Sequence, residues 1–309
     1  MTRNVFDAVG LSASRTAWLH LVLICVPFRF GLQPLALEIS EYVPINVIGS
    51  AGSIFESSNC SEVELFLIRD FGSRLMLYQS LAWIVWLVMR QSTANLKAFH
   101  KLLIATSLGN LLAICWEQNI FHPAPPDKPL NHNLFREILG CYGIAILLSS
   151  WTTLVYSKPP LEAMKWSIPG NAIYWGGIIN LLTAVATLQA VFKDGGIEQY
   201  FRDKNDVTER VRVVFVLSAC YTLAHATLLI RIRAFLTMPQ LRKVCLYKIF
   251  ISAALPLTWL PEMEPTPLVV DKRLTLCIRI SVFLTYVGGY LWAGQAEGFS
   301  SILSGEKDD

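Results

Sequence analysis

The sequence predicts an all-α, polytopic integral membrane protein of about eight transmembrane helices, forming one domain over residues 1–309. Three observations predict it. The chain is 53% hydrophobic and only 16% charged, with a positive mean hydropathy, which leaves too little polar surface for a soluble domain of this size. Apolar runs of spanning length recur from end to end, separated by charged or proline-bearing connections. The net charge of +3 is small and its basic residues are scattered through those connections, which excludes nucleic acid as a partner. The expected partners are the lipid bilayer and a hydrophobic small molecule.

The first run, AWLHLVLICVPFRFGLQPLAL, follows a polar lead with Arg3 and Arg15. It is long for a signal peptide and no small-residue cleavage pattern follows, so a retained span is expected; a signal would leave seven. Pro27, Arg29 and Pro34 should kink or end it early. His20 within it reads as an interfacial or packed residue rather than a ligand. Residues 38–73 then form the longest connection, acidic through Glu38, Glu41, Glu56, Glu62, Glu64 and Asp70. An Asn59-Cys60-Ser61 sequon makes Asn59 a glycosylation candidate if the loop is lumenal. The second run carries Asp70 and Arg74 at the i, i+4 spacing of an ion pair.

The third run, KLLIATSLGNLLAICWEQNIF, is the most informative. Thr106, Asn110, Ala113 and Glu117 step by four, three and four along it and so share one helix face. A carboxylate is costly in hydrocarbon, so Glu117 should meet protein or a wet cavity, be paired, or be held protonated. The proline-rich segment HPAPPDKPLNHN cannot continue that helix. His122 and His132 within it read as solvated loop residues.

The fourth run, 136–156, brings Gly140 and Gly143, expected at close helix contacts. The fifth, 172–192, repeats the polar stripe with Gly176, Asn180, Thr183 and Thr187, and Tyr174 and Trp175 mark its start. Two such stripes suit a shared cavity; interhelical hydrogen bonding is the alternative. The connection from Lys193 to Arg212 balances five basic against five acidic residues and reads as a surface loop with room for a short helix. The sixth run sets Ser218, Thr222 and His225 on one face. The seventh, CLYKIFISAALPLTWLP, is short, broken by Pro256 and followed by Glu262 and Glu264, and the eighth, 274–293, buries Arg279, a cation that needs an anionic partner.

Eight spans put both termini on one side. The 26 lysines and arginines divide evenly between the two sides, and setting aside the balanced loop after the fifth run tips the count toward cytosolic termini. The sequon and the acidic first loop agree, and the endoplasmic reticulum membrane is the expected location. In that orientation Asp70, Glu117, Glu262, Glu264, Asp271 and Arg279 gather at the lumenal half. Other membrane chemistries lack their residues: residues 274–293 contain no lysine for a retinal linkage, only His20 and His225 fall within the runs as haem ligands, and there are no histidine boxes, paired aspartate motifs or internal repeats. The seven cysteines include no CxxC pair, so no disulfide framework, metal or cofactor is expected.

The Trp116-Glu117 pair at a helix end, the proline-bearing loop and the Arg136-led run that follows resemble the integral-membrane terpene cyclases of fungal meroterpenoid and indole-diterpene pathways, over residues 105–155. The resemblance implies a membrane-embedded acid, carried here by Glu117, that protonates an epoxide or alkene of a prenylated substrate while aromatic rings stabilise the cation. The physical logic runs parallel, because a developing carbocation favours π faces over water. Nine tryptophans, Trp116, Trp151, Trp175 and Trp259 among them, are available for this. The candidate catalytic acids are Glu117, Asp70 and Asp271, and the candidate substrate-binding residues are Thr106, Asn110, Trp116, Trp175, Asn180, His225 and Arg279. A non-catalytic membrane component, or a transporter of a small lipophilic molecule, is the alternative.

Overall fold

The computed structural model describes residues 12–27, 61–90, 93–117, 132–155, 168–193, 195–257, 277 and 279–292. These residues are helical with short connections: α1 (Ala13–Cys25), α2 (Glu62–Met89), α3 (Thr93–Glu117), α4 (His132–Val155), α5 (Ile168–Phe192), α6 (Glu209–Ile232), α7 (Met238–Leu257) and α8 (279–292). Four of them, over Asn95–Trp116, Phe135–Val155, Pro169–Phe192 and Glu209–Ile232, are long and apolar enough to cross a membrane. Their outer surfaces agree: Leu147 and Leu154 on α4 are 70% and 79% exposed and Leu182 on α5 is 64% exposed, an apolar face suited to lipid rather than water.

Helix boundaries follow local chemistry. Ser12 caps α1 by accepting from Arg15 N, and the helix stops before Pro27, as the sequence leads one to expect. Ser61 opens α2 with a capping box, its hydroxyl accepting from Glu64 N while its own N–H donates to the Glu64 carboxylate. The sequon serine therefore has a structural role of its own. Several helices start earlier than their apolar runs: α3 begins at Thr93 and α7 at Met238, taking in Lys97, His100, Arg242 and Lys243.

The hub is α6, which packs against α2, α3 and α5 and is buried on nearly every side. Its start is tied to that of α2: Thr208 donates to Glu64 Oε1 at 2.9 Å, and Arg210 stands 3.6 Å from Glu64 Oε2. The two helices thus run parallel. Beside them, α1, α3 and α4 form a second packed group. Close backbone contacts occur at Gly177, where an added Cβ would lie 2.7 Å from an Ile230 side-chain carbon, and at Gly289, where it would lie 2.8 Å from Ala172 Cβ. The expectation for Gly140 and Gly143 is corrected, because a Cβ at either would meet nothing within 4 Å. The connection after α5 is more than a surface loop. Gly195 turns the chain with φ 66°, and Ile197 and Phe201 fold back into the core, Phe201 against Phe215.

Candidate functional site

Three groups of interior side chains stand out. The first lies where α3 faces α2 and α6. Thr106 and Asn110 are both buried, so the polar face of α3 looks inward as its spacing predicts. Thr106 donates to the Leu102 carbonyl and accepts from the Tyr78 hydroxyl at 2.8 Å. Tyr78 and Phe71 both stand edge-on to Tyr221, with ring centroids 5.9 and 5.6 Å away, and the Tyr142 and Tyr221 hydroxyls bond at 2.7 Å. All four rings are fully buried. Asn110 Nδ2 is buried and has no hydrogen-bond partner among the described residues. Glu117 closes α3 beyond this cluster, and its side chain lies outside the described residues, as do Asp271 and Asn59.

The second group joins α1, α3 and α4. His20 Nδ1 donates to the Ala145 carbonyl at 2.8 Å and lies 2.7 Å from Ser149 Oγ; its Nε2 accepts from Ser107 at 2.8 Å. His100 Nε2 donates to the Ala13 carbonyl, and its Nδ1 accepts from Ser149, both at 2.9 Å. Carbonyls only accept, so these partners fix both tautomers and leave each ring nitrogen of two neutral imidazoles satisfied. His100 was hidden because its run seemed to start at Lys101. The histidine pair on facing helices that the sequence seemed to lack is therefore present. Among the described residues no group of three or more His, Cys, Asp or Glu could hold a metal.

The third group is a basic seam between α2, α6, α7 and α8. Arg74 Nε donates to Asp70 at 2.6 Å, the predicted ion pair, and Arg74 Nη1 donates to Thr222 at 2.8 Å. Arg279 is within electrostatic reach of both Asp70 and Arg74. One turn along α6, Lys248 Nζ lies 3.0 Å from His225 Nε2, with Lys248 3% and His225 1% exposed. Lys248 also stands 5.5 Å from the Tyr286 ring centroid. His225 lies beside the Leu77 carbonyl, but its Nδ1 closes no hydrogen bond of normal geometry. Farther along, Arg242 covers the Tyr290 ring at 4.7 Å.

Other expectations are corrected. Trp116 and Trp175 are 57% and 59% exposed and point away from the interior, where they suit an interfacial belt. Asn180 donates to the Gly176 carbonyl of its own helix, and Thr183 and Thr187 likewise bond back one turn, Thr183 from an exposed position. The α5 stripe is thus divided: Gly176 is buried against the Tyr286 hydroxyl, while Asn180, Thr183 and Thr187 close their hydrogen bonds within their own helix. Equal spacing fixes a common face but not its direction, and the inward face of α5 is carried by Ile173, Gly177 and Ala184. Asp70 has an oxygen committed to Arg74, so acting as an acid would require that bond to open. No protein-family model, curated protein or solved structure matches this chain.

Proposed function

We propose that the chain is an eight-span protein of the endoplasmic reticulum membrane that cyclises a prenylated, terpenoid-type substrate, with Glu117 as the general acid that protonates its epoxide or alkene. The observation that carries this reading is the buried cluster of Phe71, Tyr78, Tyr142 and Tyr221, set against the inward polar face of α3. Ring faces in a water-poor interior are what a carbocation requires. Phe71 lies seven residues before Tyr78, about 10 Å nearer the Glu117 end of the antiparallel α2–α3 pair, so the rings extend toward the end of α3 at which position 117 stands. The unpartnered Asn110 Nδ2 between them is a donor for a substrate oxygen.

The test is expression in a host without its own terpenoid pathway, fed a terminally epoxidised prenylated phenol, with extracts compared for wild type and Glu117→Gln. The amide keeps the shape of the acid but cannot give a proton to carbon or an epoxide. Product formation should fall by roughly 10² to 10⁴, while detergent thermal stability and membrane insertion are retained. A stable and fully active Glu117→Gln protein would overturn the assignment. The second reading, a non-catalytic binder or carrier of a lipophilic molecule, is favoured by Lys248, because an ammonium in the same interior opposes a carbocation. It predicts no new product from any prenylated feed.

A further inference from the structure

We infer that the α6–α7–α8 seam is a binding site for the ionised acid group, carboxylate or phosphate, of a lipophilic ligand, with Lys248 and Tyr286 as its donors. The inference goes beyond the cyclase reading and does not depend on it. Among the described residues Lys248 has no carboxylate partner; its one hydrogen bond goes to His225, and its other neighbour is the face of a tyrosine ring. A buried ammonium without a counter-ion is costly, and a ring face offsets only part of that cost. The hydroxyl of that ring, Tyr286, is buried and has no hydrogen-bond partner among the described residues. It reaches its place because Gly176 has no side chain: a Cβ there would stand 2.1 Å from the hydroxyl oxygen. Among the described residues, the hydroxyl that Gly176 admits has no partner and the lysine over the same ring has no acid, which leaves two buried donor groups with hydrogen-bonding capacity to spare.

The surroundings have the same sign. Arg74 pairs with Asp70, and Arg279, two turns along α8 and about 10 Å from Tyr286, lies within electrostatic reach of both, so two guanidinium groups stand at this end of the seam. An acid head group at Lys248 would sit in a field made positive by the whole seam, and an apolar tail would find the bundle interior. An alcohol or hydrocarbon of the same length would gain nothing from that field.

The experiment uses the full chain in detergent, with three probes of equal tail length: hexadecanoate, hexadecyl phosphate and hexadecanol. Either or both acids should raise the melting temperature of the wild type and the alcohol should not; which acid does so identifies the source of the charge. Lys248→Met should abolish the shift while the protein stays folded, its own melting temperature lowered by no more than the loss of the His225 Nε2 hydrogen bond. Tyr286→Phe should weaken acid binding about tenfold or more while preserving the fold, the effect of losing one donor to a charged group. Equal shifts from acids and alcohol, or shifts that survive in Lys248→Met, would overturn the inference. So would a sharp loss of stability in Lys248→Met that Asp271→Asn or Glu262→Gln reproduces, because the anion would then come from the chain itself.

Discussion

Ser149 shows how much a single hydroxyl can hold together. It accepts from His20 on α1 and donates to His100 on α3 while sitting on α4, so three helices meet at one oxygen. Ser149→Ala leaves His100 Nδ1 without a donor in a dry site, and the expected loss is about 1 to 3 kcal/mol. Ser107→Ala should cost a similar amount by stripping His20 Nε2, and the double change should cost less than the sum, since both act on one network. Melting curves in detergent, read as a double-mutant cycle, test this; strict additivity would show two independent bonds. The network was half legible in the sequence. His20 lies inside an apolar run and reads from sequence as interfacial or packed, whereas His100 follows Lys97 and precedes Lys101, so hydropathy assigns it to a connection. Lys248 is a different case: it lies inside the seventh run, but nothing in the sequence sets it beside His225. An apolar-run reading trims charged residues from helices, although helix interiors accept them wherever a protein partner replaces water.

Boundaries and faces separate at the scale of the element. The helical class and the approximate place of each helix could be read from the runs, and so could the end of α1 before Pro27 and the Asp70–Arg74 pair on α2. Which glycine meets a neighbour could not, because that depends on the partner helix. Gly177→Ala forces a Cβ to 2.7 Å from Ile230 Cγ1 and 3.1 Å from the Ile230 backbone nitrogen, so α5 and α6 must part. The expected cost is about 1 to 3 kcal/mol. Gly143→Ala meets open space and should be neutral, or gain up to about 1 kcal/mol from helix propensity. If both changes cost the same, the α5–α6 contact is not as described. The capping box of α2 was legible and overlooked, since Ser61 and Glu64 stand in the S-x-x-E pattern. It supplies a discriminating test of the sequon. Ser61→Ala should destabilise the protein by about 1 kcal/mol whether or not Asn59 carries glycan. Asn59→Gln should remove only a glycan-dependent mobility shift, and Ser61→Thr should retain both cap and sequon.

For the whole molecule the quantity to measure is the number of crossings, because among the described residues four helices meet the criterion of length and apolarity. The exceptions have a physical pattern. Charges within α2 and α7 include Asp70, Arg74 and Lys248, all of which meet partners inside the bundle rather than lipid, so low hydropathy there reflects a polar interior. The packing supports the higher count. Glu64 joins the starts of α2 and α6, Arg279 at the start of α8 lies near Asp70 close to the start of α2, and Gly289 near the end of α8 meets Pro169 and Ala172 at the start of α5. Hence α2, α6 and α8 run one way and α5 the other, as in a bundle whose direction alternates at each crossing. The eight alternating crossings we propose would place both chain ends on one side, and the lysine and arginine distribution outside the loop after the fifth run is the reason to expect that side to be cytosolic. Tags at each terminus, probed with protease in sealed microsomes, should both be digested while an Asn59 glycan, if present, stays protected. One tag digested and the other protected would refute an even number of crossings. Both protected would keep the bundle and invert it, moving Glu117 and the Arg74–Arg279 end of the seam to the cytosolic face and reversing the side from which an acidic ligand first meets them.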